Sequence, residues 1–414
     1  MVLSQCLEDQ KSILLGLKNS LIFDYSASRK LVRWNQTTDC CSWDGVECDF
    51  AGHVISLLLD EEIISGGIES SEDLFRLSYL QKLNLAFNSF DSIQIPKGLQ
   101  NLTNLSHLNL SNAGFGGQIP NEILRLRSLV SLDLCSFFPG IPPLKLKSPS
   151  LQMLVQNLTR LRELYLDSVD VSAQGSNWSQ VLSSSLPDLR NLSLRGCSLR
   201  GPIDASLSKL RSLSVLRLDR NNLASKVANF FANFSKLTTL SLSSCSLLGS
   251  IPEKLFQLPS LQNLDLSDNV QLSGTLPQFP PNGSLRTVAL SYTNFSGSLP
   301  ESISNLVMLS RLELSNCSLT GPIPPTIANL TELEILDISA NNFTGSLPLF
   351  QLSKKLTYID AAQNSLTGLL SSKHFEGLIN LEYINLGHNL LRQYSILFVC
   401  SSIRGSLKMS FWSS

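Results

Sequence analysis

One apolar pattern returns from Leu80 to Leu391 and constrains the fold more than any other feature of the chain. Each copy reads Leu-x-x-Leu-x-Leu-x-x-Asn-x-Leu/Phe-x-Gly-x-Ile/Leu-Pro, and from Leu189 to Leu333 successive copies begin 24 residues apart. The alternation around the second and third leucines predicts a short strand with one buried face. Each leucine contributes about 1.5–3 kcal/mol only when a neighbouring copy covers it, so the copies must stack. Their first leucines are Leu80, Leu105, Leu129, Leu161, Leu189, Leu213, Leu237, Leu261, Leu285, Leu309, Leu333, Leu356 and Leu381.

Stacked copies of this length predict an α/β solenoid of the leucine-rich-repeat type, a right-handed horseshoe or superhelix with a parallel sheet on its concave face. The ninth position of a copy is usually Asn, whose side chain is expected to hydrogen-bond the backbone of the bend after the strand. Three other copies have Cys there, which we interpret as a small buried side chain rather than a metal or redox group. These ninth residues are Asn88, Asn221, Asn269, Asn341, Asn364 and Asn389, and Cys197, Cys245 and Cys317.

Composition narrows the class of partner and the compartment. Net charge is −1 over 414 residues and charged residues make up 16%, so no broad basic field favours nucleic acid. Thirteen Asn-x-Ser/Thr triplets favour a secreted glycoprotein. Two of them, Asn109 and Asn191, fall on or beside the inner strands and are the least expected to be glycosylated. The other eleven are Asn35, Asn101, Asn104, Asn157, Asn177, Asn233, Asn282, Asn294, Asn316, Asn329 and Asn342.

Four of the nine cysteines lie in the first 48 residues, where a solenoid needs a cap over its apolar edge. Adjacent cysteines do not pair readily with each other, and of the three possible pairings we prefer Cys6–Cys40 with Cys41–Cys48. A zinc site is the competing interpretation, although no CxxC pair is present. The segment 8–21 has the apolar spacing of an amphipathic helix that covers the end of the solenoid.

The resulting organisation has four parts. Residues 1–5 are a residual leader or spacer, 6–52 the cap, 53–391 about thirteen repeats, and 392–414 a tail without the repeat pattern. The repeats are irregular near 135–150 and 170–188, where one step stretches to 32 residues and the next to 28. We expect that extra length to form loops, which often carry function.

Candidate contact residues occupy the third, fifth, seventh and eighth positions of a copy, which should face the concave side. Most are Ser, Thr or Asn, but a few copies carry the charged and aromatic side chains that dominate binding hot spots. The alternative is that these charges only satisfy each other along the sheet. The predicted ligand-binding residues are Glu163, Tyr165, Asp167, Arg195, Arg217, Asp219 and Arg220, then a weaker group of Tyr292, Arg311 and Glu313, with Tyr358 and Tyr383 further on.

The cap and the repeat ending together carry a family resemblance. The cap reads Cys40-Cys41-Ser-Trp43-Asp-Gly45-Val-Glu-Cys48, and the repeats end in the plant-type Gly-x-Ile-Pro, as in Gly321-Pro-Ile-Pro324. From about Gln5 to Leu391 the chain resembles the ectodomain of a plant leucine-rich-repeat receptor-like protein, most closely the Verticillium wilt disease-resistance group.

That resemblance implies a plasma-membrane immune receptor with an extracellular ectodomain, no enzymatic activity and no cofactor. It would recognise a protein, peptide or oligosaccharide ligand of microbial or endogenous origin on its repeats and signal through partner receptor kinases. The four histidines, His53, His107, His374 and His388, are scattered and show no catalytic or metal-binding spacing, in agreement with that expectation.

The two ends of the chain depart from the family pattern. Five residues before the cap cannot supply the apolar segment of a signal peptide. The longest apolar run of the tail, Ile396-Leu-Phe-Val399, is far too short to span a bilayer. We therefore expect an incomplete gene product, which would be secreted or at the cell surface only if the gene extends further.

The alternative function is that of a secreted inhibitor similar to plant polygalacturonase-inhibiting proteins, which share the cap and the repeat. Such proteins have about ten repeats and a cysteine-bearing C-terminal cap, whereas this chain has thirteen repeats and only Cys400 in its tail. The receptor interpretation is therefore preferred. Potent inhibition of a polygalacturonase would favour the inhibitor instead.

Overall fold

A computed structural model describes residues 5–69, 71–137 and 142–393, and the backbone of 408–410. The chain forms two compact units, Met1–Leu213 and Ser214–Ser414. Both are stacks of short parallel strands joined by turns and 3-10 helices, the leucine-rich-repeat solenoid that the sequence predicted. The sequence predictions that concern Ile396–Val399 and Cys400 fall on residues outside the described ranges.

The first unit begins with the cap. Helix α1 (Glu8–Ser20) buries Ile13, Leu14 and Leu17, as the apolar spacing predicted. Disulfides join Cys6 to Cys40 and Cys41 to Cys48, the pairing preferred from the sequence, so these thiols are engaged with each other rather than with zinc. The rings of Trp34 and Trp43 stack with 5.2 Å between their centroids and fill the cap interior.

A buried carboxylate fastens the cap to the first coil. Glu62 is 1% exposed and accepts a hydrogen bond from the Ser28 hydroxyl at 2.5 Å. Its two oxygens also accept from the backbone N–H groups of Arg29, Lys30 and Leu31 at 3.0–3.2 Å. These donors open the 3-10 helix Leu31–Arg33, whose first N–H groups have no partner within the helix. Glu62 therefore acts as a cap supplied from a distant part of the chain.

The strands of the first unit follow the leucine pattern. Strands β2 and β3 pair antiparallel under the cap, and β3, β5, β6, β7, β8 and β9 then pair in parallel and in register. A separate antiparallel pair, β1 with β4, ties the end of α1 to the first coil. The bounds are β1 (Ile22–Phe23), β2 (Val46–Cys48), β3 (Val54–Leu58), β4 (Ile64–Gly66), β5 (Lys82–Asn84), β6 (His107–Asn109), β7 (Ser131–Asp133), β8 (Glu163–Tyr165) and β9 (Asn191–Ser193).

The two long steps of the first unit contain α-helices, although the sequence predicted loops there. Helices α2 (Leu151–Asn157) and α3 (Trp178–Ser185) stand where the other coils have 3-10 turns. Trp178 is fully buried and anchors α3, so the added residues contribute core as well as surface. The 3-10 helices of this unit are Leu31–Arg33, Cys40–Ser42, Leu74–Arg76, Lys97–Asn101, Asn121–Arg125, Ser172–Gln174 and Ala205–Lys209.

The second unit has two large parallel sheets and one small parallel pair, β23 (Leu369–Leu370) with β25 (Arg392–Gln393). Strands β10, β11, β13, β15, β17, β19, β21, β24 and β26 form the main one, and β12, β14, β16, β18, β20 and β22 form the other. The bounds are β10 (Val215–Arg217), β11 (Thr239–Ser241), β12 (Leu248–Ser250), β13 (Asn263–Asp265), β14 (Asn269–Thr275), β15 (Thr287–Ala289), β16 (Thr293–Gly297), β17 (Arg311–Glu313), β18 (Ser318–Pro322), β19 (Ile335–Asp337), β20 (Asn342–Gly345), β21 (Tyr358–Asp360), β22 (Ser365–Leu366), β23 (Leu369–Leu370), β24 (Tyr383–Asn385), β25 (Arg392–Gln393) and β26 (Lys408–Ser410).

Short helices and one unexpected strand complete the second unit. Strand β26 pairs in parallel with β24, so part of the tail that shows no repeat pattern extends the main sheet. Strand β25 pairs with β23 in the same way. The 3-10 helices are Asn229–Asn233, Glu253–Gln257, Glu301–Asn305, Pro325–Asn329 and Ser372–His374.

The ninth position of the repeat stitches neighbouring coils together, as the sequence predicted. The Asn269 amide nitrogen donates to the Leu242 carbonyl of the previous coil at 2.9 Å and to Leu266 of its own coil at 2.8 Å. Its amide oxygen accepts from the backbone N–H groups of Cys245 and Leu247 at 3.0 and 2.9 Å. One side chain thus satisfies buried backbone groups on both sides of a bend, where no regular ladder can reach them.

The thiols at the ninth position replace the hydrogen bond that the asparagine amide nitrogen donates to the previous coil. The Cys197 thiol donates to the Leu166 carbonyl of the previous coil at 2.9 Å, and Cys245 donates to Leu218 at 3.1 Å. Burial raises the pKa of Cys197, and it raises the pKa of Cys245 to about 12, so both thiols keep the proton that they donate. This agrees with a structural role for these cysteines.

We predict that Glu62→Gln destabilises the first unit by about 2 kcal/mol or more, because an amide presents its own N–H to backbone donors that need an acceptor. The urea midpoint followed by circular dichroism measures the change. Glu61→Gln is the control, since Glu61 is exposed and should shift the free energy of unfolding by less than about 0.5 kcal/mol. Equal effects of the two substitutions would contradict the role assigned to Glu62.

A second prediction concerns the ninth position. The Asn341 amide donates to Leu314 of the previous coil at 2.7 Å and accepts from the Leu319 N–H at 3.0 Å. Asn341→Ala leaves both groups unsatisfied and should cost about 2–4 kcal/mol. Asn341→Cys restores the donor alone and should recover part of that loss in the urea midpoint. A Cys variant as unstable as the Ala variant would show that the thiols are tolerated but do not stabilise.

Candidate ligand-binding surface

Parallel register sorts the side chains of the strand face into columns. In the second unit the fifth residues of successive copies are register partners, as Glu313 is with Asp337 and Asp337 with Asp360. The third residues behave in the same way, as Tyr358 does with Tyr383. Equivalent residues of successive copies therefore stand about 4.8 Å apart across the sheet.

The eighth position of the repeat has a left-handed backbone. Tyr292 has φ 58° and Arg220 has φ 57°, a region that non-glycine residues seldom adopt. Both side chains are exposed, and each backbone N–H donates to the next coil at 2.9 Å. The bend therefore lifts this side chain away from the sheet. The same region is used by Phe87, Asn112, Ser168 and Gly196 in the first unit, and by Ser244, Asp268, Asn316, Ala340, Gln363 and His388 in the second.

The first unit brings together two of its predicted contact residues, Glu163 and Tyr165, through one amide. Asn191 donates to the Tyr165 hydroxyl at 3.1 Å and to a Glu163 oxygen at 3.4 Å, while Ser131 donates to the other Glu163 oxygen at 2.9 Å. The Arg195 guanidinium lies 5.9 Å from the centre of the Phe137 ring. These side chains form a polar, half-buried surface whose groups are already oriented by one another.

Asp167 and Asp219 are placed differently from the other predicted contacts. They are only 6% and 4% exposed, and each carboxylate turns into the following coil. Asp167 accepts from the Ser193 hydroxyl at 2.6 Å and the Arg195 N–H at 2.8 Å. Asp219 accepts in the same way from the Ser241 hydroxyl and from the Ser243 N–H at 3.1 Å. At the seventh position a carboxylate thus accepts hydrogen bonds from the hydroxyl and backbone groups of the next coil, which neither the ligand-binding prediction nor its alternative of mutually paired charges described.

The remaining predicted residues of the second unit lie at the surface. Arg217 and Arg220 are exposed, and Tyr292 is 51% exposed. The Arg311 guanidinium meets the Glu313 carboxylate of the same strand at 2.6 Å. The structure therefore leaves the two arginines of the first coil able to meet an incoming ligand, whereas Arg311 is already paired.

The last coils of the second unit contain a cluster that the sequence prediction named only in part. The Tyr358 and Tyr383 rings stack, with 4.4 Å between centroids and 6° between planes. Their hydroxyls lie 3.5 and 3.4 Å from one Asp360 oxygen, which also accepts from the Asn385 amide at 3.1 Å. The two carboxylates Asp337 and Asp360 were missed, although an acidic fifth residue in successive copies was the available signal.

Burial raises the pKa of several groups on this face. It raises the pKa of Asp360, and the neighbouring Asp337 carboxylate raises it further. Burial raises the pKa of Asp265 in the same column, and it also raises the pKa of Tyr358. The face thus holds carboxylates at a cost in free energy, because each charge is partly removed from water and stands near another.

The predicted glycosylation sites can be compared with the surface. Ten of the eleven favoured asparagines are exposed, and Asn157 is half-buried. The Asn191 amide nitrogen, the atom that a glycan would modify, is occupied by its bonds to Tyr165 and Glu163. Which of these asparagines carry a glycan stays a prediction.

Within the described ranges no helix is long and apolar enough to cross a membrane. The longest, α1, has 13 residues.

Comparison with known proteins gives the class. Residues 7–49 match the leucine-rich-repeat N-terminal domain, and 104–126, 211–270, 284–306 and 308–330 match leucine-rich repeats. The chain is 36% identical to Receptor-like protein 6 of Arabidopsis thaliana over 56% of its own length, which is 25% of that relative. The crystal structure of a TDR receptor superposes with a TM-score of 0.66 at 30% identity, covering 85% of this chain and 58% of that one. The plant peptide hormone receptor RGFR1 in complex with RGF2 superposes with a TM-score of 0.60 at 25% identity, covering 85% and 65%.

The chain is therefore a capped leucine-rich-repeat protein, and such repeats form binding modules rather than enzymes. Within that class its relatives include plant receptor-like proteins such as Receptor-like protein 6, in agreement with the resemblance that the cap and the Gly-x-Ile-Pro endings carry. It spans about a quarter of the length of Receptor-like protein 6. The assignment to the Verticillium wilt group stays a prediction.

The raised pKa of Asp360 gives a prediction with a definite sign. Its charge disfavours the folded state, so the cost is absent below the unfolded pKa and appears as the pH rises through the folded pKa. Asp360→Asn removes that cost while keeping an oxygen for the Ala362 N–H. The variant should gain stability relative to the native chain as the pH rises from about 4 to about 7. A urea midpoint difference that does not change with pH would contradict this account.

Proposed function

We propose that this chain is the ligand-recognition part of a plant cell-surface immune receptor-like protein. It binds a microbial or endogenous ligand, a protein, peptide or oligosaccharide, on the strand-lined faces of its repeats. The relation to Receptor-like protein 6 and the structural likeness to a plant receptor that holds a peptide hormone support a ligand-binding role. The immune role rests on the resemblance to disease-resistance proteins.

One observation of the surface carries the proposal. The coil next to β10 presents small and neutral residues on the strand face of the second unit, namely Thr239, Ser241 and Ser243. Arg217 and Arg220 interrupt it with two exposed guanidinium groups on neighbouring turns of one coil. An exposed arginine pair on a rigid sheet is a ready partner for a carboxylate or another anionic group, because each planar fork binds two oxygens at once.

Signalling is assigned to partners. The resemblance to plant receptor-like proteins supports signalling through partner receptor kinases in the full-length form. The exposed sequons, the disulfide-bonded cap and the neutral surface support an extracellular location at the plasma membrane, with glycans on the repeats.

We predict that Arg217→Ala with Arg220→Ala weakens ligand binding at least tenfold, about the loss expected when a hot-spot contact is removed. The glycosylated chain is immobilised, and binding of peptide and oligosaccharide fractions from fungal cell walls is measured by interferometry. The circular dichroism spectrum should be unchanged, because neither side chain is buried.

The matched control removes two positive charges from another part of the same unit. Lys236→Ala with Lys254→Ala changes exposed residues outside the main sheet and should leave binding unchanged. If no fraction binds the native chain, the proposed function is wrong. If both double variants lose affinity equally, only a general charge effect is present.

A further inference from the structure

The main sheet of the second unit carries a column of acidic residues. Four of the five fifth-position residues from β13 to β21 are carboxylates, Asp265, Glu313, Asp337 and Asp360, and Ala289 is the exception. Across the third-position column of the same strands, the described residues supply one cation, Arg311. Its contact is to Glu313, which leaves the Asp337 and Asp360 end of the column negative.

The two carboxylates at that end have different surroundings. Asp360 is 8% exposed, and its oxygens accept from Asn385, Ala362 and the tyrosine hydroxyls. Asp337 is half-buried, and one of its oxygens accepts from the Ser339 N–H and hydroxyl at 3.1 and 2.7 Å. Among the described residues, nothing donates to the second Asp337 oxygen. Asp337 is thus the carboxylate able to bind a cation directly. Asp360 adds a negative charge from the neighbouring strand.

Aromatic rings stand beside these carboxylates. The stacked Tyr358 and Tyr383 occupy the third position of the same two coils, and both rings are half-buried. Because the two rings stack on each other, both are held in place before a ligand arrives. Binding against them therefore requires little loss of side-chain conformational entropy. A cation gains from a tyrosine ring as well as from a carboxylate.

A groove runs along the strand ends next to the tyrosines. It has a volume of about 410 Å³ and is lined by residues that precede β19, β21 and β24 and by a neighbouring turn. Glu334 and Glu382 contribute two carboxylates, while Lys355 pairs with Glu332 at 2.6 Å. Ile379, which is 63% exposed, adds apolar surface to the groove that suits the aliphatic stem of a long side chain.

We propose that the surface formed by Asp337, Asp360, Tyr358, Tyr383 and the adjoining groove binds a basic side chain, arginine or lysine, of an extended peptide. This inference rests on the proposed function and specifies the ligand class for one part of the repeat face. The cationic head lies against Asp337 within reach of the tyrosine rings. A neighbouring residue of the same peptide follows the groove past Glu334 and Glu382.

Charge complementarity selects this occupant. A neutral guest would leave the in-register carboxylates repelling each other, and an acidic guest would add to that repulsion. A cation offsets the repulsion where it is greatest. The surface remains on one parallel sheet of one unit, so its geometry does not depend on a loop closing over it.

The test uses the whole chain and fluorescein-labelled hexa-arginine as the probe, with binding measured by fluorescence anisotropy in low salt. Asp337→Asn keeps an acceptor for Ser339 and should weaken binding about tenfold. Tyr383→Leu, which keeps an apolar side chain but removes the ring and its hydroxyl, should weaken it about threefold. Asp360→Asn is a second charge variant in case Asp337→Asn fails to fold, with an expected loss of about threefold.

Glu253→Gln is the matched control, because it removes one negative charge from an exposed 3-10 helix of the same unit. It should leave the affinity unchanged. Absence of hexa-arginine binding, or equal losses for Asp337→Asn and Glu253→Gln, would overturn the inference. Because Arg217 and Arg220 are not part of this surface, their double variant should bind the probe no more weakly than the native chain. Probe binding without any wall-fraction binding would count against the proposed function alone.

Discussion

The structure depends on leucines that cannot be buried within a single repeat. Leu240, Leu264 and Leu312 are fully buried only because the strands on either side bring equivalent leucines, or Val288, into register with them. Hydrophobic burial therefore fixes the order and the spacing of the coils at the same time. The polar bends cannot join that core, and the ninth-position amides and thiols resolve the conflict by hydrogen-bonding one coil to the next. The buried leucines and the hydrogen bonds between coils recur with the same period because both follow the register of the strands.

That register also explains how a surface of this kind acquires chemistry. A carboxylate that recurs at the fifth position, such as Asp337 before Asp360, becomes a neighbour across the sheet rather than a distant residue in the chain. The position within the copy then decides the fate of the charge. At the seventh position, Asp167 and Asp219 are drawn into hydrogen bonds with the following coil. Arg217 at the fifth position and Arg220 at the eighth remain at the surface, whereas Asp360 at the fifth position is buried.

Much of the fold could be predicted from the sequence, since periodicity is a property of the sequence itself. The leucine spacing predicted the strands, the apolar spacing of 8–21 predicted α1, and the cysteine arrangement favoured the pairing that is present. The helices of the long steps escaped prediction because α3 is anchored by the burial of Trp178, a tertiary effect. Strand β26 escaped because pairing with β24 does not require the repeat pattern.

The contact surface was less predictable for a related reason. A repeat pattern says which positions face outward, but the burial of Asp167 depends on the Ser193 hydroxyl and the Arg195 N–H one coil away. The stacking of Tyr358 on Tyr383 similarly follows from two copies read together. Single copies therefore identify candidates, and only adjacent copies identify contacts.

The left-handed bend at the eighth position limits how such a surface can diversify. Side chains branched at the β-carbon are disfavoured in that region of backbone space, and the described eighth-position residues that adopt it include no Val, Ile or Thr, although Ile63 adopts it outside that position. Phe87, Arg220 and Tyr292 show that bulk, charge and aromaticity are otherwise accepted. The side chain at the eighth position can therefore vary widely in size and charge without disturbing the buried leucines of the coil. Recognition can drift from ligand to ligand while the scaffold stays fixed.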